Sequence, residues 1–165
     1  MLRHGTTLVE AKSGYGLEAE TEIKMLRVLK QAKSIQPIEI VSNFCGAHSI
    51  PKGLNEQEAT KNLLEVQIPA VKEAIAKNEI DPELIDVFCE KGVFERDTTK
   101  QILLVRVSSL QYLIKIIKAG KEIGLAANFH GDEINFIDSG TLGGEVGALA
   151  ISHLENVSSS SREII

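Results

Sequence analysis

The sequence predicts an α/β fold on a parallel sheet, and more narrowly part of a (β/α)8 TIM-type barrel. Three observations lead there. Short apolar, β-branched runs alternate with longer helical patterns along the chain, which is the order of βα units. Polar residues able to do chemistry stand at the C-terminal end of every such run, the side on which a barrel assembles its active site. Neither "KSGYGLE" nor "GGEVGAL" supplies the GxGxxG turn that a dinucleotide-binding open sheet carries after its first strand.

The elements follow in order. "TTLVEAK" (6–12) predicts the first strand, and residues 14–34 a helix with Ile23, Leu26, Leu29 and Lys30 on one face and acids in its first turn. "IEIVSNFCGAH" (38–48) predicts the second strand. The helical pattern over 56–78 is interrupted or restarted at Pro69, which has no N–H to give. "LIDVFCE" (84–90) is the third strand, 98–124 is largely helical, and "LAANFHGDE" (125–133) is the fourth strand. A short Gly-rich helix (140–149) and "AISHLE" (150–155) complete the alternation. The whole of 1–165 reads as one partial barrel domain, with frayed ends at 1–5 and 158–165, where "SSSSREII" buries little.

Composition narrows the function. Apolar residues at 43% and charged residues at 25% match an ordinary globular domain. A net charge of -5 with no basic, aromatic-bearing stripe argues against nucleic acid and against anionic membrane surfaces as partners. No apolar run reaches the roughly 20 residues that span a bilayer, and Cys45 and Cys89 lie in apolar runs as reduced thiols would. The expected partner is a small-molecule substrate, and the expected compartment the cytoplasm.

His130 is the strongest single candidate. On an alternating strand it shares a face with Asn128 and Asp132, while Glu133 joins them only if the chain bends after the strand, as Gly131 would allow. It reads as a metal ligand beside proton-transferring carboxylates, or as a core-edge histidine bonded to a loop. His48 and His153 end two other strands and read as pocket residues or as satisfied interior histidines. Glu90 is a site carboxylate or a capping, solvated group. Tyr15, between Gly14 and Gly16, either enters the mouth of the barrel or packs on the surface. Lys12 makes an electrostatic contact or snorkels. Cys45 and Cys89 read as small core residues, and His4 as incidental.

Taken in order, "EAKSGYGL", "CGAHSIP", "DVFCEKGVF", "FHGDE" and "SHLE" resemble the imidazolonepropionase family of the amidohydrolase superfamily, from about Gly5 to about Val157. The resemblance implies hydrolytic ring opening of 4-imidazolone-5-propanoate to N-formimidoyl-L-glutamate, with one bound zinc or iron ion. It implies that His130 ligates the metal from the fifth barrel strand and that Glu133 contacts the substrate ring and passes protons. His153 would orient the attacking water or polarise the carbonyl, with Tyr15 and His48 lining the substrate pocket.

The family's metal site also uses an H-x-H pair on the first barrel strand and an aspartate on the eighth. This sequence has no H-x-H, and its strands match approximately the second to the sixth. The chain is therefore expected to be a fragment of the full enzyme that does not bind metal tightly alone, with 104–117 either an insertion or an artefact of the gene model. A homodimer is expected of the complete enzyme. Two other readings stand beside this one: a non-catalytic incomplete barrel that assembles with another piece, and a related heterocycle deaminase.

Overall fold

The computed structural model of the chain describes residues 1–104 and 124–158. Apart from residues 104 and 158, the expected insertion and C-terminal tail lie outside the described residues.

Five strands form one parallel sheet in chain order: β1 (Leu8–Lys12), β2 (Glu39–Ala47), β3 (Leu84–Cys89), β4 (Ala126–Gly131) and β5 (Ala150–His153). Helix α1 (Ala19–Ile35) joins β1 to β2. The next crossover holds α2 (Glu56–Asn62), a π-helical turn (Leu63–Gln67) and α3 (Ile68–Ala76). Helix α4 (Arg96–Leu104) follows β3, and α5 (Ser139–Val146) joins β4 to β5. Every predicted strand is present.

The expected irregularity at Pro69 is the π turn. Pro69 lies in the first turn of α3, and the chain absorbs its missing N–H by widening to an Ile68 N–H to Leu63 O bond just before it.

The sheet is curled into a half-barrel. Glu10 on β1 accepts a 2.6 Å hydrogen bond from the Asn128 side chain on β4. In a flat sheet three strand spacings would hold those backbones about 14 Å apart, too far for two side chains to bridge. On the convex side Phe44, Ile85, Val87, Cys89 and Phe129 pack under the helices with Leu26, Leu63, Val71, Ile102 and Leu142. Barrel interiors are usually filled by branched apolar side chains. Here the concave face is polar instead, and its groups pair with one another.

Close approach of α5 to β4 requires Gly131. A Cβ there would lie 2.6 Å from Ser139 Cβ and 3.2 Å from Cys89 O. Gly131→Ala is expected to cost about 1–3 kcal/mol through overpacking, read from urea unfolding. A loss well below that range would mean that α5 can move away freely.

Candidate active site

The mouth is built by three backbone irregularities at strand ends. In β2, Phe44 pairs with Ile85 but Ala47 pairs with Val87, so three steps on one strand match two on the other. This bulge puts Ala47 into the core with Phe44 and turns His48 to the mouth, where plain alternation would have placed it on Phe44's side. After β4, Asp132 takes a left-handed conformation (φ 49°), which ends the strand and swings Glu133 inward. In β5, Ser152 pairs with His130 and His153 with Gly131, whose missing side chain would face α5. A left-handed φ of 77° at His153 breaks that alternation and brings its ring back towards His130.

The expected residues come together as a result. The His130 ring lies 6.1 Å from His48 and 6.0 Å from His153, centroid to centroid, and Tyr15 stands 5.0 Å from His48. Glu133 Oε2 is 3.5 Å from His153 Nε2, with both side chains about a third exposed. Tyr15 is 85% exposed, so it forms the rim and not the floor. Phe88, which the sequence did not single out, stacks on His130 at 4.7 Å and 17° and sets the plane of its ring.

The Tyr15 turn is fastened from behind. The backbone N–H groups of Gly14, Gly16 and Leu17 donate to the buried Glu22 carboxylate at 2.8, 2.8 and 2.9 Å. Gln67, held by the π turn, donates from Nε2 to Leu17 O at 3.0 Å. Gly14 is required here because its φ is 111° and a Cβ would meet Cys45 and His48 at 3.1–3.2 Å.

Two carboxylates differ from expectation. Asp132 does not share His130's face. It is buried, and its Oδ1 accepts from Ile137 N–H and Ser139 N–H, shaping the loop into α5. Glu90 is neither solvated nor a helix cap: it is buried and accepts from the N–H groups of Lys91, Ile134 and Asn135 and from Asn135 Nδ2. It thereby holds the loop that carries Glu133.

Burial pushes the Glu90 carboxyl up, but those hydrogen bonds outweigh it and hold it below the usual range. A depressed folded value means stability that is complete above the unfolded value of about 4.3 and is lost as pH falls through the folded one. Glu90→Gln is therefore expected to lower the urea midpoint at pH 7 and to flatten its decline towards pH 3. An unchanged acid limb would show that Glu90 is not linked to folding.

Asp86 was missed altogether. It sits mid-strand in an apolar run, and its side chain is completely buried. Its Oδ2 accepts from Lys12 Nζ at 2.5 Å, and its Oδ1 lies 2.8 Å from His130 Nδ1 and 3.2 Å from His130 N. Burial raises its carboxyl, but His130 and then Lys12 more than compensate and hold it below the ordinary range. Lys12 thus makes an electrostatic contact. Cys45 and Cys89 are buried free thiols raised above their ordinary range by desolvation, Cys89 to about 12, as core residues would be. His4 is exposed in a 3-10 turn (Leu2–His4), away from these groups.

The donor set fits one metal ligand. The His130 ring meets Asp86 through Nδ1, so Nε2 is the nitrogen that could accept a metal ion. Among the described residues no three His, Cys, Asp or Glu side chains form a closed metal cluster. Further ligands would have to come from other strands of a barrel.

The chain is 54% identical over 159 residues to a Dictyostelium discoideum protein named "Probable imidazolonepropionase". Proteins of the same name from Nematostella vectensis and Homo sapiens are 54% and 49% identical over 158 residues. Each match covers 96% of this chain. The chain is a homologue of imidazolonepropionases. It spans about a third of the length of these curated relatives. No family model matches it. The matched segment contains Tyr15, His48, His130, Glu133 and His153, so the imidazolonepropionase likeness and the converging side chains fall on the same stretch of chain. Among the described residues no helix is long and apolar enough to cross a membrane.

Proposed function

We propose that this chain is the segment covering approximately the second to sixth strands of an amidohydrolase-superfamily barrel with imidazolonepropionase activity. The complete protein would hydrolyse 4-imidazolone-5-propanoate to N-formimidoyl-L-glutamate in histidine degradation. The observation that carries the reading is about 50% identity to imidazolonepropionases across the segment that holds all five candidate side chains.

The proposed roles are those the family resemblance implies for these positions. Tyr15 and His48 would hold the flat ring of the substrate at the rim, where a phenol and an imidazole 5.0 Å apart offer both contact area and hydrogen bonds. Glu133 would take a proton from the attacking water and return it to the departing ring nitrogen. His153, 3.5 Å from Glu133, would orient that water or hydrogen-bond the substrate carbonyl. His130 would ligate a zinc or iron ion, which when bound lowers the pKa of a coordinated water to about 7. The free buried thiols agree with a cytoplasmic setting.

The test is hydrolysis assayed on the complete gene product. Loss of imidazolonepropionate with matching N-formimidoyl-L-glutamate supports the proposal. Release of ammonia from a heterocycle, with no such product, would favour the related deaminase. A second reading concerns assembly. Among the described residues β1 and β5 each pair on one side only, and Leu8 and Leu149 are 52% and 71% exposed, so this segment would associate through open edges with a complementary piece or a second copy. A homodimer of the complete enzyme is part of the proposal. A monomer by size-exclusion chromatography that unfolds cooperatively would contradict the association reading.

A further inference from the structure

We infer that Asp86 is the positioning residue for His130: its Oδ1 holds the ring at Nδ1, so Nε2 is the nitrogen offered to a bound metal ion. The inference rests on the proposal that His130 is a ligand.

The geometry constrains the ring in three ways. Asp86 Oδ1 lies 2.8 Å from Nδ1 and also accepts from the backbone N–H of the same residue at 3.2 Å, so one oxygen ties both the ring and the strand that bears it. Phe88, two residues along β3 on the same face, stacks on the ring and fixes its plane. Lys12 occupies the other oxygen of Asp86 at 2.5 Å, which leaves Oδ1 to His130. Lys12 is in turn 3.5 Å from Glu10, which accepts from Asn43 and Asn128, so the support continues across four strands.

A buried carboxylate is costly to desolvate, and an apolar residue in its place often does as well for stability. What the apolar residue cannot do is choose between the two ring nitrogens. A carboxylate accepts hydrogen bonds only, so the nitrogen facing it carries the proton and the far nitrogen keeps its lone pair.

The test is the tautomer, read from 15N imidazole spectra of the metal-free 165-residue chain near pH 8.5, above the ordinary imidazole range. His130 is expected with the proton on Nδ1 and a bare Nε2. In Asp86→Leu, which offers Nδ1–H no acceptor, the Nδ1-protonated form should no longer dominate and the two 15N shifts should move towards each other while the far-UV spectrum stays folded. Any other ring state in the parent chain, or an unchanged tautomer in a folded Asp86→Leu chain, overturns the inference. Should Asp86→Leu not fold, the parent spectrum still decides. Zinc alone, added to the metal-free complete protein, whose other strands would supply the further ligands, should move Nε2. A response confined to Nδ1 overturns the inference, whereas the expected tautomer with no response at either nitrogen supports Asp86's hold on the ring and counts against His130 as a ligand.

Discussion

Glu133→Gln in the complete protein is expected to lower kcat by about 10²- to 10⁴-fold, the range typical of a positioned general base, with KM changed only a few-fold. Glutamine matches glutamate in size and can still hydrogen-bond, but it cannot accept a proton from water. Glu133 is about a third exposed, and its loop is held by other residues. Glu90 binds the next two backbone N–H groups, and Asn156 Nδ2 donates to Glu133 O at 2.8 Å. The substitution should therefore leave folding intact, and circular dichroism with thermal unfolding checks that. A variant that retains most of its kcat would remove Glu133 from the proton path.

The largest stability effect is expected at Glu22. Its carboxylate takes three backbone N–H groups from the turn that carries Tyr15, and the residue is fully buried. Glu22→Ala leaves those donors without a partner, the Gly14 N–H buried and those of Gly16 and Leu17 partly so. With an unsatisfied buried group costing about 1–3 kcal/mol and partly buried ones less, a loss of about 2–4 kcal/mol is expected. Glu22→Gln should also destabilise, because it sets an NH2 group against N–H donors. In the complete protein KM should rise more than kcat falls, since the turn positions Tyr15 and not the proton-transfer pair. Urea unfolding measures the first effect, and a loss under about 1 kcal/mol would mean that the turn is held by Gln67 and packing alone.

How far the sequence revealed this arrangement depends on the kind of signal. Alternating runs and strand-end histidines were readable because hydrophobic period and residue type are local properties, and His48, His130 and His153 were found that way. The orientation of His48 and His153 was not readable. The bulge before His48 and the left-handed backbones at Asp132 and His153 each reverse the side that a period of two would assign. Asp132 therefore leaves the face that alternation assigns to it, and Glu133 reaches the site only through the bend that follows the strand. Asp86 escaped notice because its partners lie 44 and 74 residues away along the chain. Glu22 reads as an ordinary acid in the first turn of a helix, and only the fold shows the preceding loop wrapped around it.

Those three irregularities act together, and the shared mouth depends on them more than on any single side chain. The most direct measurement is a NOESY spectrum of the folded chain with assigned imidazole protons. Ring centroids 6.0–6.1 Å apart predict cross-peaks from His130 to both His48 and His153. A folded chain in which His130 shows a contact to neither ring would mean that the strand ends do not meet, and the site described above would not exist.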